Sequence, residues 1–191
     1  RDFTLRLGVS RCLLGDTVRY DGGHKLDRFL VNTLGAYVEW VPVCPEIEIG
    51  LPIPRESLRL VGHQEAPRLV ALKSGDDYTE RMQSWARERL EQLAGLGLHG
   101  FIFKRDSPSS GLFRVRVYDQ NGMPSRVGTG VFPREVMRRF PLLPLEEEGR
   151  LHDMHLRENF IDRVFAYYRW TTLLAEKPTP GALVAFHTSY K

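Results

Sequence analysis

"YTERMQSWARERLEQLAGLGLHGFIFKRDSPSSG", residues 78–111, holds a helix, a strand and a loop in succession, and its reading decides the fold. Met82, Trp85, Leu90 and Leu93 return roughly to one side of a helical spiral, and Gly95 and Gly97 punctuate its end, so 78–100 is expected to be helical. "GFIFK" (100–104) is a short apolar run bounded by turn residues, the pattern of a buried strand. The segment that follows gathers Ser107, Pro108, Ser109, Ser110 and Gly111 just beyond the strand, where small polar groups either make a turn or carry chemistry.

Similar units stand on both sides. "FTLRLGV" (3–9) and "YVEWVPV" (37–43) are strand-like, with "KLDRFLVNTLG" (25–35) a short helix between them and Gly35 its stop. "FRVRVYD" (113–119) alternates as a strand, "NGMP" (121–124) is a turn, and "PREVMRRF" (133–140) is a helix with Pro133 at a favoured first position. "PLLPLEEE" (141–148) is a last, proline-limited strand. Strands separated by helical segments predict an α/β fold with a mostly parallel sheet and flanking helices. After Gly149 the character changes. "LHDMHLRENFIDRVFAYYRWTTLL" (151–174) is a long, aromatic-rich helix that "KPTPG" (177–181) breaks. The expected division is therefore residues 1–149 as an α/β domain and 150–191 as a helical extension. The chain begins without Met and ends within the helical-looking "ALVAFHTSYK", so a fragment of a longer protein is expected.

Composition narrows the function classes. The 191 residues are 42% hydrophobic and 27% charged, an ordinary globular balance. A net charge of +3 is too small an excess to argue for nucleic acid without a clustered basic face. No apolar run approaches the roughly 18 residues of a membrane span, and the N-terminus lacks a basic-then-apolar leader, so the expected location is cytoplasmic. The only cysteines are Cys12 and Cys44, which imply no disulfide framework; a bridge between them is disfavoured in a reducing compartment.

Position along the chain is the informative signal. Cys12 follows the first strand run, Cys44 the second, and the Ser107–Gly111 loop the third. Ligand sites of open parallel sheets lie beyond the carboxyl ends of strands, at a switch point, so these loops are expected to converge. On the residues alone two readings stand: a site of sulfur and oxygen donors, or two small buried hydrophobes beside a Ser/Pro turn.

"VSRCLLGDTVRYDGGHK" (9–25), "VCPEIEIGLPIPRESLRL" (43–60) and "KRDSPSSGLFRVRVYD" (104–119) resemble the three signature blocks of the domain-of-unknown-function 523 family, which includes the thiouracil desulfurases. The similarity covers residues 4–148. "LHDMHLRENFIDRVFAYYRW" resembles the opening of a second module, domain of unknown function 1722. The resemblance implies a Rossmann-like domain holding a [4Fe–4S] cluster on three cysteines, with the fourth iron free to take sulfur from a small thiolated substrate while water replaces it at carbon. Cys12 and Cys44 match two ligand positions. The third aligns with Ser110, because the family block reads Ser-Pro-Ser-Cys-Gly where this chain has Ser-Pro-Ser-Ser-Gly. A serine alkoxide is a harder and more basic donor than thiolate. An engineered exchange, natural loss of the cluster and a weak oxygen ligand all remain open explanations. The resemblance also implies Glu46 as a proton shuttle and Ser107 as a group that hydrogen-bonds substrate or assists water; on the residues alone they read as a surface Glu and a turn Ser.

Weaker signals are "GTG" (128–130), which permits close backbone approach, and Arg19, Asp21 and His24 at a site rim. Arg55 is a candidate partner for an anionic substrate group. His152, His155, Glu158 and Asp162 lie roughly on one helix stripe and read equally as metal ligands or a solvated face. Three functions follow: an iron–sulfur desulfurase-like enzyme acting on a thiouracil-type base and cluster-deficient through Ser110, a non-catalytic cluster- or nucleobase-binding module serving the C-terminal part, or a zinc hydrolase using Cys12, Cys44 and an oxygen.

Overall fold

The first strand, β1 (Leu5–Ser10), carries Leu5, Leu7 and Val9 into the interior, and Gly8 at its centre leaves room for the Phe101 ring. A Cβ at Gly8 would stand 2.1 Å from that ring. These details come from a computed structural model that describes residues 4–190; Phe3, the first residue of the expected strand, lies outside them. After a single helical turn at Arg11–Leu14, helix α1 (Arg28–Asn32) starts on Asp27, whose carboxylate accepts the Leu30 N–H at 3.0 Å. β2 (Val38–Val43) then runs parallel to β1, pairing Leu5 with Val38 and Ser10 with Val43. The short α2 (Pro45–Glu48) follows at once, with Pro45 in its first turn.

β3 (Leu58–Val61) and β4 (Arg68–Ala71) form an antiparallel pair before the long helix α3 (Thr79–Leu96), which ends on left-handed Gly97. β5 (Gly100–Phe103) returns beside β1, pairing Leu7 with Gly100 and Val9 with Ile102. β6 (Val115–Tyr118), β7 (Pro124–Gly128), α4 (Val131–Arg139) and β8 (Leu145–Glu147) follow. Helices α5 (Met154–Ala175) and α6 (Pro180–Thr188) close the described chain.

The fold is α/β: a parallel four-stranded sheet in the order β2-β1-β5-β8, flanked by helices, with C-terminal helices added. A second four-stranded sheet, β4-β3-β6-β7, stands beside it. The expected strand at 113–119 belongs to this second sheet, where β6 runs parallel to β3 and antiparallel to β7. Its partners are four- and five-residue strands without a strong period, which is why a pattern search passes over them.

Three apolar clusters hold the elements together. One face of the parallel sheet packs Phe101, Phe103 and Val43 against α3 and α4 through Leu90, Leu93, Phe132 and Val136. The other face gathers Leu5, Leu7, Val9, Leu30 and Ile102 with Leu151, Phe160 and Val164, so α5 covers β1 and β5. Tyr167, one turn further along α5, packs partly buried against the first cluster. The third cluster fills the second sheet through Leu60, Leu69, Val115 and Val117, with Met82 of α3 over it.

Candidate functional site

β1, β2 and β5 are parallel, so their carboxyl ends fall on one edge of the sheet, and the chain between them has already crossed from β2 back over β1 to β5. Cys12, Cys44 and the Ser107–Ser110 loop emerge there. All three line one cavity of about 530 Å³, whose far wall is the second sheet. That is the size class of small-ligand sites. Both cysteines are free and partly buried.

Local sequence explains each placement. Cys12 lies in the helical turn that Gly15 ends at φ 101, and its carbonyl accepts the Lys25 N–H at 2.9 Å, tying down the returning 16–25 loop. Cys44 is the residue on which α2 starts; Glu48 reaches back to its N–H at 3.2 Å. The Ser10 hydroxyl accepts the Lys104 N–H at 2.9 Å, joining the ends of β1 and β5. Ser107 Oγ accepts the Ser110 N–H at 3.1 Å, and the Gly111 N–H bonds the Ser107 carbonyl at 2.6 Å, so the loop curls on itself. Ser110 is buried.

Glu46 joins the two sides of the cavity. Its Oε1 accepts the Ser109 hydroxyl at 2.7 Å, and Ser109 Oγ lies 3.1 Å from Ser107 Oγ. Glu46, Ser109 and Ser107 therefore form one hydrogen-bonded chain. Ser109, nearly fully buried, was not singled out by sequence reading; only its place between two candidate residues reveals it. The other oxygen of Glu46 is held by Arg55 at 2.7 Å. Arg55 also donates to the Val18 carbonyl at 2.9 Å and the Pro52 carbonyl at 3.2 Å, with its side chain only 5% exposed. Arg55 lines the cavity, and its guanidinium bonds Glu46 and two loops.

The thiols sit in an environment that resists ionisation. Burial pushes Cys12 up to about 11, with the nearby Cys44 adding to the rise and Lys104 and Arg19 opposing it. Burial also pushes Cys44 up, against an N–H bond from Ile47, while Glu46 adds repulsion. Cations such as Arg19, Lys25, Arg59 and Arg116 line the cavity, which favours negatively charged guests. Arg59 Nε is buried without a hydrogen-bond partner among the described residues, and its guanidinium lies over the Tyr118 ring at 5.2 Å.

The other expected residues divide between this centre and places away from it. The "GTG" segment brings Gly130 against protein backbone: a Cβ there would stand 2.9 Å from Ser109 C and O and from Ser110 N. Among the described residues, no three His, Cys, Asp or Glu side chains gather closely enough to hold a metal ion. The His152–Asp162 stripe therefore forms no such group, and His152 instead faces Asp27 at 2.9 Å while His155, Glu158 and Asp162 are exposed. No helix among the described residues is long and apolar enough to cross a membrane. Arg19 lines the cavity, whereas Asp21 and His24 do not.

Residues 7–148 match the model of the 2-thiouracil desulfurase family. Among solved structures, the chain is similar to TudS, described as a [4Fe-4S]-dependent thiouracil desulfidase, at 29% identity and a TM-score of 0.64; the match covers 82% of this chain and 99% of that one. No curated protein matches.

Proposed function

The chain belongs to the 2-thiouracil desulfurase family, and from that premise we propose a desulfurase-like enzyme that takes sulfur from a small thiolated compound of the thiouracil type, with a [4Fe–4S] cluster as the group its cavity serves. The observation that carries the reading is the convergence of Cys12, Cys44 and the Ser107–Ser110 loop on one cavity at the carboxyl ends of three parallel strands.

The donor set fits such a cluster at two corners and fails at the third. Cys12 and Cys44 supply free thiols for the soft iron of a cluster, and the cation-lined wall suits its negative charge. Ser110 offers a hydroxyl, a hard and strongly basic donor once ionised. Bound at such a site, a cluster supplies a Lewis-acidic iron toward a soft sulfur atom. With the third thiolate missing, this chain holds one poorly and is inactive or nearly so.

Glu46 is the residue that moves a proton to the leaving or attacking group, and Ser107 orients substrate or water. Ser109 keeps the two in register, and Arg55 fixes the carboxylate from behind. The absent thiolate favours a second reading, a non-catalytic cluster- or nucleobase-binding module. Residues 150–191 would then be the opening of the helical partner it serves.

Turnover tests the proposal. After anaerobic reconstitution, Ser110→Cys is expected to release sulfide from a thiouracil, and the unaltered chain to release little. If the Cys variant loads iron yet turns over no thiolated base, the enzyme reading fails and the binding module remains.

A further inference from the structure

The loop that carries Ser107 and Ser110 is strained at both ends. Asp106 (φ 57) and Arg114 (φ 52) lie in the left-handed region without being glycine, a conformation that persists only where the surroundings over-determine it. A carboxylate from the end of β8 stands immediately before each. Glu148 accepts the Arg105 N–H at 2.8 Å and the Lys104 ammonium at 2.5 Å. Glu147 Oε1 accepts the N–H groups of Leu112 at 2.9 Å and Phe113 at 3.0 Å. Both glutamates are buried. Strand register puts them there: β8 pairs Glu147 with Phe103 at the end of β5, and the Glu148 N–H returns to the Phe103 carbonyl at 3.2 Å.

We propose that Glu147 and Glu148 are positioning residues that grip the two limbs of the 104–114 loop and so set where Ser107 and position 110 stand relative to Cys12 and Cys44. The proposal rests on the reading of this cavity as the desulfurase site. Its physical ground is that buried carboxylates are costly and are retained where their acceptors are used. Burial pushes the Glu147 carboxyl up from its ordinary range, against the two N–H bonds that pull it down. Charge is a burden at that position, and the acceptor oxygen is what the loop uses. Gly111 and Gly130 complete the grip, because a Cβ at Gly111 would stand 2.6 Å from the Ser107 carbonyl oxygen and one at Gly130 would meet the Ser109–Ser110 backbone.

Amide hydrogen exchange on the full chain tests this, with three variants at one position. Glu147→Gln keeps the acceptor oxygen without charge, Glu147→Asp keeps the charge but draws the oxygen back by one methylene, and Glu147→Ala removes both. Exchange at Leu112 and Phe113 should rise about tenfold or more in the Asp and Ala variants, as expected for leaving these N–H groups without their acceptor, and return to the parental rate in Gln, whose side-chain oxygen still accepts them. The Leu90 amide, inside α3, should be unchanged in all three. In the Ser110→Cys background, iron retained per chain after reconstitution should fall for Asp and hold for Gln. Parental exchange rates in Asp and Ala, a uniform rise that includes Leu90, or failure of Gln to restore protection would each overturn the proposal. If Ala does not fold, the Asp and Gln pair decides. If Ser110→Cys takes up no iron, the cluster reading of the cavity fails, and the exchange rates alone decide whether the glutamates grip the loop.

Discussion

Glu46, the proposed proton shuttle, also ties the loops around the cavity together. Its carboxylate accepts a hydrogen bond from the Ser109 hydroxyl at one oxygen and from the Arg55 guanidinium at the other. In the Ser110→Cys background, Glu46→Gln should lower steady-state turnover by about a hundredfold or more, the usual scale of a general acid–base contribution, while leaving bound iron unchanged. Turnover equal to the parent's would remove Glu46 from the mechanism. At this scale Cys12, Cys44, Ser107 and Ser110 were legible because each follows an apolar run, so chain position alone places them at a strand end. The links between them were not. Ser109 donating to Glu46 depends on how α2 leaves β2, and Arg55 reaching Val18 and Pro52 depends on loops whose course no periodicity encodes.

At the scale of elements, α5 packs against the parallel sheet. Leu151, Phe160 and Val164 complete the cluster around Leu5, Leu7, Val9, Leu30 and Ile102, and a Cβ at Gly100 would stand 3.0 Å from the Val164 side chain. Burying each such side chain contributes about 1.5–3 kcal/mol, so removing three of them takes away a sum comparable to the whole stability of a typical domain, about 5–15 kcal/mol. A chain ended after Gly149 is therefore expected to lose cooperative urea unfolding or to aggregate. A sharp transition at the full-length midpoint would establish 1–149 as a self-sufficient unit. The strands of the parallel sheet and α3 were legible from apolar runs and helical spacing. β3, β4 and β7 were not, since short strands paired partly antiparallel leave no separate signal.

On the scale of the whole molecule, two sheets line one cavity, with the thiols on the side of the parallel sheet and cations on both sides. On the proposed reading, this arrangement departs from the cluster-binding pattern at one atom, the oxygen of Ser110 where the family block resembled by this loop has sulfur. The surrounding loop is already fixed by Gly111, Gly130 and the β8 glutamates, so exchanging that oxygen for sulfur requires little backbone movement. The most direct measurement is iron, acid-labile sulfide and visible absorbance of the chain and its Ser110→Cys variant, reconstituted anaerobically side by side. The variant should turn brown and approach about four irons per chain, the complement of a [4Fe–4S] cluster, while the serine chain holds far less. A serine chain that binds a full cluster as stably as the variant would contradict the account, because another residue must then hold the iron.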